Sequence, residues 1–228
     1  MSLKDNLSIK VNLSLLVVAM LMAACETDSY EKGEGKYSLM QADFADMAVN
    51  SQKEATAFTT DEGDSYQLTT PFTSKWIETP DTVYRTIIYY NKVRVGEATP
   101  VTASPVPTLR PVKASSFKEQ PQDPIGLESA WIAATGKYLN IGLLMKTARI
   151  DDEEPPHNVA LAQDTVYLYP DGRRTACYRF LHSQNNIPEY YTNRRYVSIL
   201  LPEEPLDTVR FTIQTYNGLV EKCFPLTN

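Results

Sequence analysis

The side chains able to do chemistry in this chain are few, and their spacing is uninformative for catalysis. There are three cysteines and two histidines in 228 residues. His157 and His182 stand apart, with no second histidine one helical turn away and no Cys-x-x-Cys, so the usual zinc-ligand spacings are missing. His157 follows the acidic run Asp151, Asp152, Glu153, Glu154 and two prolines, which reads as an exposed loop; His182 ends a strand. The acidic run lacks the spaced ligands and the glycine of a calcium loop. No Gly-x-Ser-x-Gly elbow, phosphate-cradling loop or dinucleotide fingerprint occurs. Carboxylates cluster in turns, where a glycosidase pair would have to be assembled in space. These features predict no catalytic residues, no metal and no cofactor.

Cysteine chemistry is of another kind. Lys4 and Lys10 precede a short apolar stretch at 13–22, then Ala23, Ala24 and Cys25. The stretch is short of the roughly 20 residues a membrane-spanning helix needs, and reads as a secretory signal. Met22-Ala23-Ala24-Cys25 resembles the lipobox of bacterial lipoproteins, with Met where Leu is usual. It implies cleavage after residue 24, lipidation of Cys25 and durable anchoring by several acyl chains. Residues 25–35 are polar, acidic and glycine-containing, as a flexible tether is. Acidic residues just after the lipidated cysteine resemble the surface-export signals of Bacteroidota lipoproteins. The expected address is the outer membrane, displayed at the cell surface or, if the acidic residues are only a solvated linker, facing the periplasm. Cys177 and Cys223 remain as an even pair in an oxidising compartment: either a disulfide, stabilising by roughly 4 kcal/mol through loop closure, or two buried thiols.

Two further patterns bear on recognition. Asp-Thr-Val occurs at 81–83, 164–166 and 207–209. It resembles the Asp-Ser/Thr-aliphatic acceptor of Bacteroidota protein O-glycosylation, which makes Thr82, Thr165 and Thr208 candidate acceptors. The same tripeptide also suits a turn-closing Asp before a strand-opening Thr-Val. Among the aromatic residues, Trp76 and Trp131 read as core. Tyr190 and Tyr191, after the loop Asn185-Asn186-Ile187-Pro188, are the candidates for an exposed aromatic platform.

The elements that must position these residues are strands. Apolar residues alternate at 138–146, 196–201 and 209–215, and 84–90 is rich in aromatic and β-branched types. Pro170-Asp171-Gly172 and Asn217-Gly218 mark hairpins, and 61–64 turns an N-terminal one. Six prolines between 100 and 124 interrupt the pattern and place a boundary near 120. The chain is therefore expected to be all-β: signal peptide 1–24, tether 25–35, a small barrel at 36–119 and a β-sandwich at 120–228. A net charge of -6 and a pI near 5.1 exclude a nucleic-acid partner, which requires a basic face.

Asp123-Pro124-Ile125, Trp131 and Lys137-Tyr138-Leu139-Asn140-Ile141 resemble the NigD-like lipoproteins of Bacteroidota. So do Tyr178-Arg179-Phe180-Leu181-His182 and Pro188-Glu189-Tyr190-Tyr191, together with the lipobox. The resemblance implies an oligonucleotide/oligosaccharide-binding (OB)-like barrel followed by an immunoglobulin-like sandwich, and carries no catalytic or binding residues over. The expected function is a non-catalytic, lipid-anchored envelope module binding a protein partner or a glycan. The alternatives are an envelope hydrolase built from carboxylates and a bacteriocin-associated immunity protein.

Overall fold

Fourteen strands carry the fold, in a computed structural model that describes residues 39–150 and 153–226. The first five are β1 (Met40–Val49), β2 (Ala55–Thr60), β3 (Ser65–Phe72), β4 (Thr82–Arg94) and β5 (Glu97–Pro105). They close into a barrel in the order β1-β2-β3-β5-β4, with β3 and β5 parallel. Closure removes the exposed edges that a five-stranded sheet would otherwise present. Inward side chains alternate along β1 (Ala45, Met47, Val49) and β4 (Ile88, Tyr90) and pack on Phe58 and Tyr66. Tyr90 stays satisfied inside by donating to Asp43 at 2.8 Å.

The chain leaves the barrel at Pro105, upstream of the expected boundary near 120. Two short strands, β6 (Thr108–Leu109) and β7 (Val112–Lys113), pair with the sandwich instead. The prolines of this stretch keep each piece to two residues, because proline cannot donate to a ladder. They also set it on sheet edges. The remaining strands are β8 (Gly126–Ile132), β9 (Tyr138–Thr147), β10 (Asn158–Leu168), β11 (Arg174–Ser183), β12 (Tyr191–Leu200), β13 (Thr208–Thr215) and β14 (Gly218–Pro225). One sheet runs β14-β13-β11-β10-β7 and the other β6-β12-β9-β8. Between them lies a core of Leu139, Ile141 and Leu143 against Leu161, Tyr178, Phe180, Phe211 and Ile213. Burial in this core pushes the Tyr178 hydroxyl up to about 12.

All three predicted hairpins form, with one shift in register. Gly172 takes φ +85° after Pro170-Asp171, as expected. At the β13–β14 turn, Thr215 pairs with Gly218, so the loop residues are Tyr216 and Asn217 rather than Asn217 and Gly218. Only the glycine takes positive φ, at 105°. The Thr215 hydroxyl accounts for the shift: it donates to the Gly218 carbonyl at 2.7 Å and accepts from the Asn217 N–H at 3.2 Å.

Candidate binding cleft and the joint behind it

Strand β9 is buried on both faces from Tyr138 to Leu143, although its sequence alternates like a half-exposed strand. Its odd-numbered residues face the sandwich core. Its even-numbered residues Tyr138 and Asn140 meet the barrel, through Arg85 of β4. The Arg85 guanidinium makes two bonds of 2.7 Å to Asp61, one to each carboxylate oxygen. It also donates to Asn140 Oδ1 at 3.0 Å and to Ser198 Oγ at 3.0 Å. Asn140 returns a bond to Asp61 at 2.7 Å, and Ser198 donates to Asn140 at 2.7 Å. Arg85 lies 4.0 Å from the Tyr138 ring centroid, in cation–π contact. Beside it, Asp46 of β1 accepts from Tyr138 at 3.0 Å and pairs with Lys137 at 2.5 Å. Phe44 adds edge-to-face contacts with Trp131 and Tyr196. A buried charge is tolerated only when its hydrogen-bonding capacity is met, and here barrel and sandwich each supply part of what Arg85 needs.

Next to this joint is a cleft of about 420 Å³. Ile87, Ser104, Pro105, Val106 and Pro107 form its barrel side, and Arg194 to Val197 of β12 form its sandwich side. Leu143, Met145 and Val159 provide an apolar floor. A strap, residues 154–157, closes one end. Glu154 pins it by accepting from Asn193 at 2.7 Å and Arg195 at 2.9 Å. Burial opposes ionisation of Glu154, but these two donors outweigh it and hold the carboxyl below its usual range. Arg194 pairs with Glu128 at 2.5 Å. Each of these charged side chains in the cleft wall thus has a protein partner.

The strap ends on a histidine pair. His157 Nδ1 lies 2.8 Å from His182 Nε2, and His182 Nδ1 lies 2.9 Å from the Asp123 carbonyl oxygen. A carbonyl only accepts, so His182 Nδ1 carries its proton and, in the neutral ring, Nε2 must accept. His157 Nδ1 is then the donor, which leaves its own Nε2 as a bare lone pair. That nitrogen is buried and has no hydrogen-bond partner. Burial lowers the affinity of both rings for a second proton, and for His157 the neighbouring ring adds to it. His157 is therefore half-buried and paired, not the exposed loop residue its acidic neighbours suggested.

The remaining residues singled out from the sequence lie elsewhere. Cys177 and Cys223 are both free thiols, the first half-buried and the second exposed, so the structure shows neither the candidate disulfide nor a pair of buried thiols. Cys177 stands opposite Arg210 of β13, and Arg210 stands opposite Cys223, so a whole strand separates them. Two strand spacings are roughly 9–10 Å, beyond the about 7 Å between Cα atoms that a disulfide can bridge. Thr82 and Thr208 open β4 and β13, and Thr165 lies inside β10 beside a bulge; all three are half-buried. Their aspartates have structural partners at two of the sites: Asp164 binds Arg179 through both oxygens, and Asp207 accepts from the Arg174 N–H. Tyr190 is 79% exposed and Tyr191 is at the edge of exposure, both at the start of β12 and away from the cleft lining. Trp131 and Trp76 are partly buried and packed on other rings. Cys25, the signal segment and the tether lie outside the described residues, as do Asp151 and Asp152.

Sequence reasoning gave no site role to Arg85, Asp61, Asn140 or Ser198. Isolated polar residues inside strand patterns were the available signal: Arg85 interrupts Tyr84 to Tyr90, and Asn140 stands amid Leu139 and Ile141.

No protein-family model matches the chain, and no curated protein does. Solved structures do match its fold. A NigD-like immunity protein from Bacteroides caccae aligns with TM-score 0.60 at 20% identity, covering 80% of this chain and 91% of that one. A protein of unknown function from Bacteroides vulgatus aligns with TM-score 0.60 at 12% identity, covering 82% and 92%. A protein from Bacteroides fragilis described as a lipoprotein aligns with TM-score 0.55 at 9% identity, covering 81% and 96%. Barrel and sandwich together are thus the fold of NigD-like proteins. Among the described residues, no helix is long and apolar enough to cross a membrane.

Proposed function

Taking the NigD-like fold as the premise, we propose that this chain is a non-catalytic, lipid-anchored module of the cell envelope that binds a partner in the cleft between barrel and sandwich. The observation that carries the reading is the state of the cleft's charged groups. Arg194, Arg195 and Glu154 are all engaged in ion pairs, His157 Nδ1 is committed to His182, and the free His157 Nε2 is buried out of reach of solvent. Such groups shape and orient a ligand. A general base or nucleophile would need a free group aimed at the reacting atom. The Arg85 joint behind the cleft holds its two walls in fixed relation, so the surface is pre-organised for binding.

The anchor rests on Cys25 and the residues before it. Fatty-acid labelling in the native host tests it: label is expected in the wild type and lost in Cys25→Ser, with the variant released from the membrane fraction. Protease treatment of intact cells is expected to digest the protein while a periplasmic marker survives. The non-catalytic reading is tested by incubating the full chain with envelope glycans and with peptides. Mass spectra of these substrates should be unchanged, and any turnover overturns it. An immunity role is favoured by the description of the Bacteroides caccae protein. It predicts that a deletion strain loses growth beside a bacteriocin producer.

A further inference from the structure

We propose that the ligand of the cleft is an extended peptide segment, bound as an added strand on the open edge of β12. This inference deepens the binding reading above and rests on it. Strand β12 pairs with β9 along its full length, Tyr191 to Leu200. On its other side only Ser198 and Ile199 have a strand neighbour, the two residues of β6. Ser198 N–H donates to the Pro107 carbonyl at 2.9 Å, so its amide points to the β6 side. Backbone groups alternate sides along a strand. Those of Tyr196 and Arg194 therefore point the same way as Ser198, past the end of β6 and into the cleft that both residues line.

The neighbouring wall is poorly suited to occupy that edge. Pro105, Pro107, Pro155 and Pro156 all line the cleft and have no N–H to offer the β12 carbonyls, and the Val106 N–H is given to the Arg85 carbonyl at 2.8 Å. Open edges are normally blunted or covered. This one is recessed between two walls and continues a strand register that β6 already uses. A polypeptide presents donors and acceptors at the spacing this edge requires, and strand addition is a common way to read peptides. Side chains of the added strand would alternate between the apolar floor at Leu143 and Met145 and the opposite wall. Arg194 and Arg195 are already paired with Glu128 and Glu154, so the apolar floor at Leu143, Met145 and Val159 sets the preference, for an apolar segment.

The test begins with a random peptide display library selected on the full chain. The enriched peptide is then titrated against wild type, Arg194→Ala and Arg194→Pro. Arg194→Ala keeps the edge N–H and is expected to weaken binding only a few-fold. Arg194→Pro removes that N–H from the open side and is expected to weaken it by at least about tenfold. Hydrogen exchange on the wild-type chain needs no variant to fold: peptide should slow the amides of Tyr196 and Arg194. Equal affinity for Arg194→Pro, or protection confined to other residues, overturns the strand slot while leaving a binding module standing. So does a cleft ligand that proves to be a glycan or a second copy of the chain. Failure to enrich any peptide also overturns the slot. Cleavage of the peptide by the chain would instead overturn the non-catalytic reading.

Discussion

Arg85 and Asp61 face each other with both terminal guanidinium nitrogens and both carboxylate oxygens engaged, at 2.7 Å each, and Asn140 of the sandwich bonds to both partners. The pair belongs to the barrel, yet its remaining hydrogen bonds are made by the sandwich. This couples the folding of one part to the docking of the other.

Replacing Arg85 by Met leaves the Asp61 carboxylate nearly buried without its cation. Breaking one side of a buried pair typically costs about 3–5 kcal/mol. The expected outcome is a loss of that order in urea unfolding, together with faster hydrogen exchange at Asn140 and Ser198. Exchange unchanged at those two amides would mean that the joint does not couple the parts.

Acid should weaken the fold through the histidine pair. Both rings have folded-state affinities for protons held below the usual value of about 6.5 by burial. The unfolded chain therefore binds more protons than the folded one as pH falls through that value. The contribution is fully present above about pH 6.5 and is lost progressively below it. Urea midpoints measured from about pH 7.5 down to pH 5 should fall, and His182→Gln should flatten the slope over that interval. An equal slope in the variant would assign the acid sensitivity elsewhere.

The two thiols should behave independently. Intact mass is expected to be the same with and without reductant, apart from any adduct on a single sulfur. Cys223 is exposed and should be alkylated first; burial raises the Cys177 thiol above its ordinary range and slows its reaction. A mass lower by two hydrogens in the non-reduced protein would contradict the separation of the two strands.

Gly142 of β9 stands opposite Ser129 of β8, beside a register shift in that pair. A Cβ placed there would stand 2.4 Å from Ser129 Oγ and 3.3 Å from the Tyr196 ring. Gly142→Ala should therefore cost about 1–3 kcal/mol by overpacking. In the companion variant Gly142→Ala/Ser129→Gly the side chain it strikes is gone, and thermal melting should show a smaller loss.

The separation between what the sequence determined and what it left open follows the range of the interactions involved. Alternation at 138–146 and 209–215 marked β9 and β13, because a side-chain period of two is a local property of the chain. Pro170-Asp171-Gly172 placed a hairpin for the same reason: its φ requirements are met within the turn itself. The Asn217-Gly218 turn was found but set one residue out of register, since the Thr215 hydroxyl competes for the same backbone groups. The proline-rich stretch reads as a break in the strand pattern with a boundary near 120, yet Thr108 and Val112 begin edge strands whose partners, β12 and β10, lie far along the chain. The cleft was not legible at all. Arg85 and Ser198 are 113 positions apart and His157 and His182 are 25 apart. Their meeting depends on barrel-to-sandwich docking and on sheet register. Only the tertiary structure decided those, because no local pattern records which distant strand will cover the second face of β9.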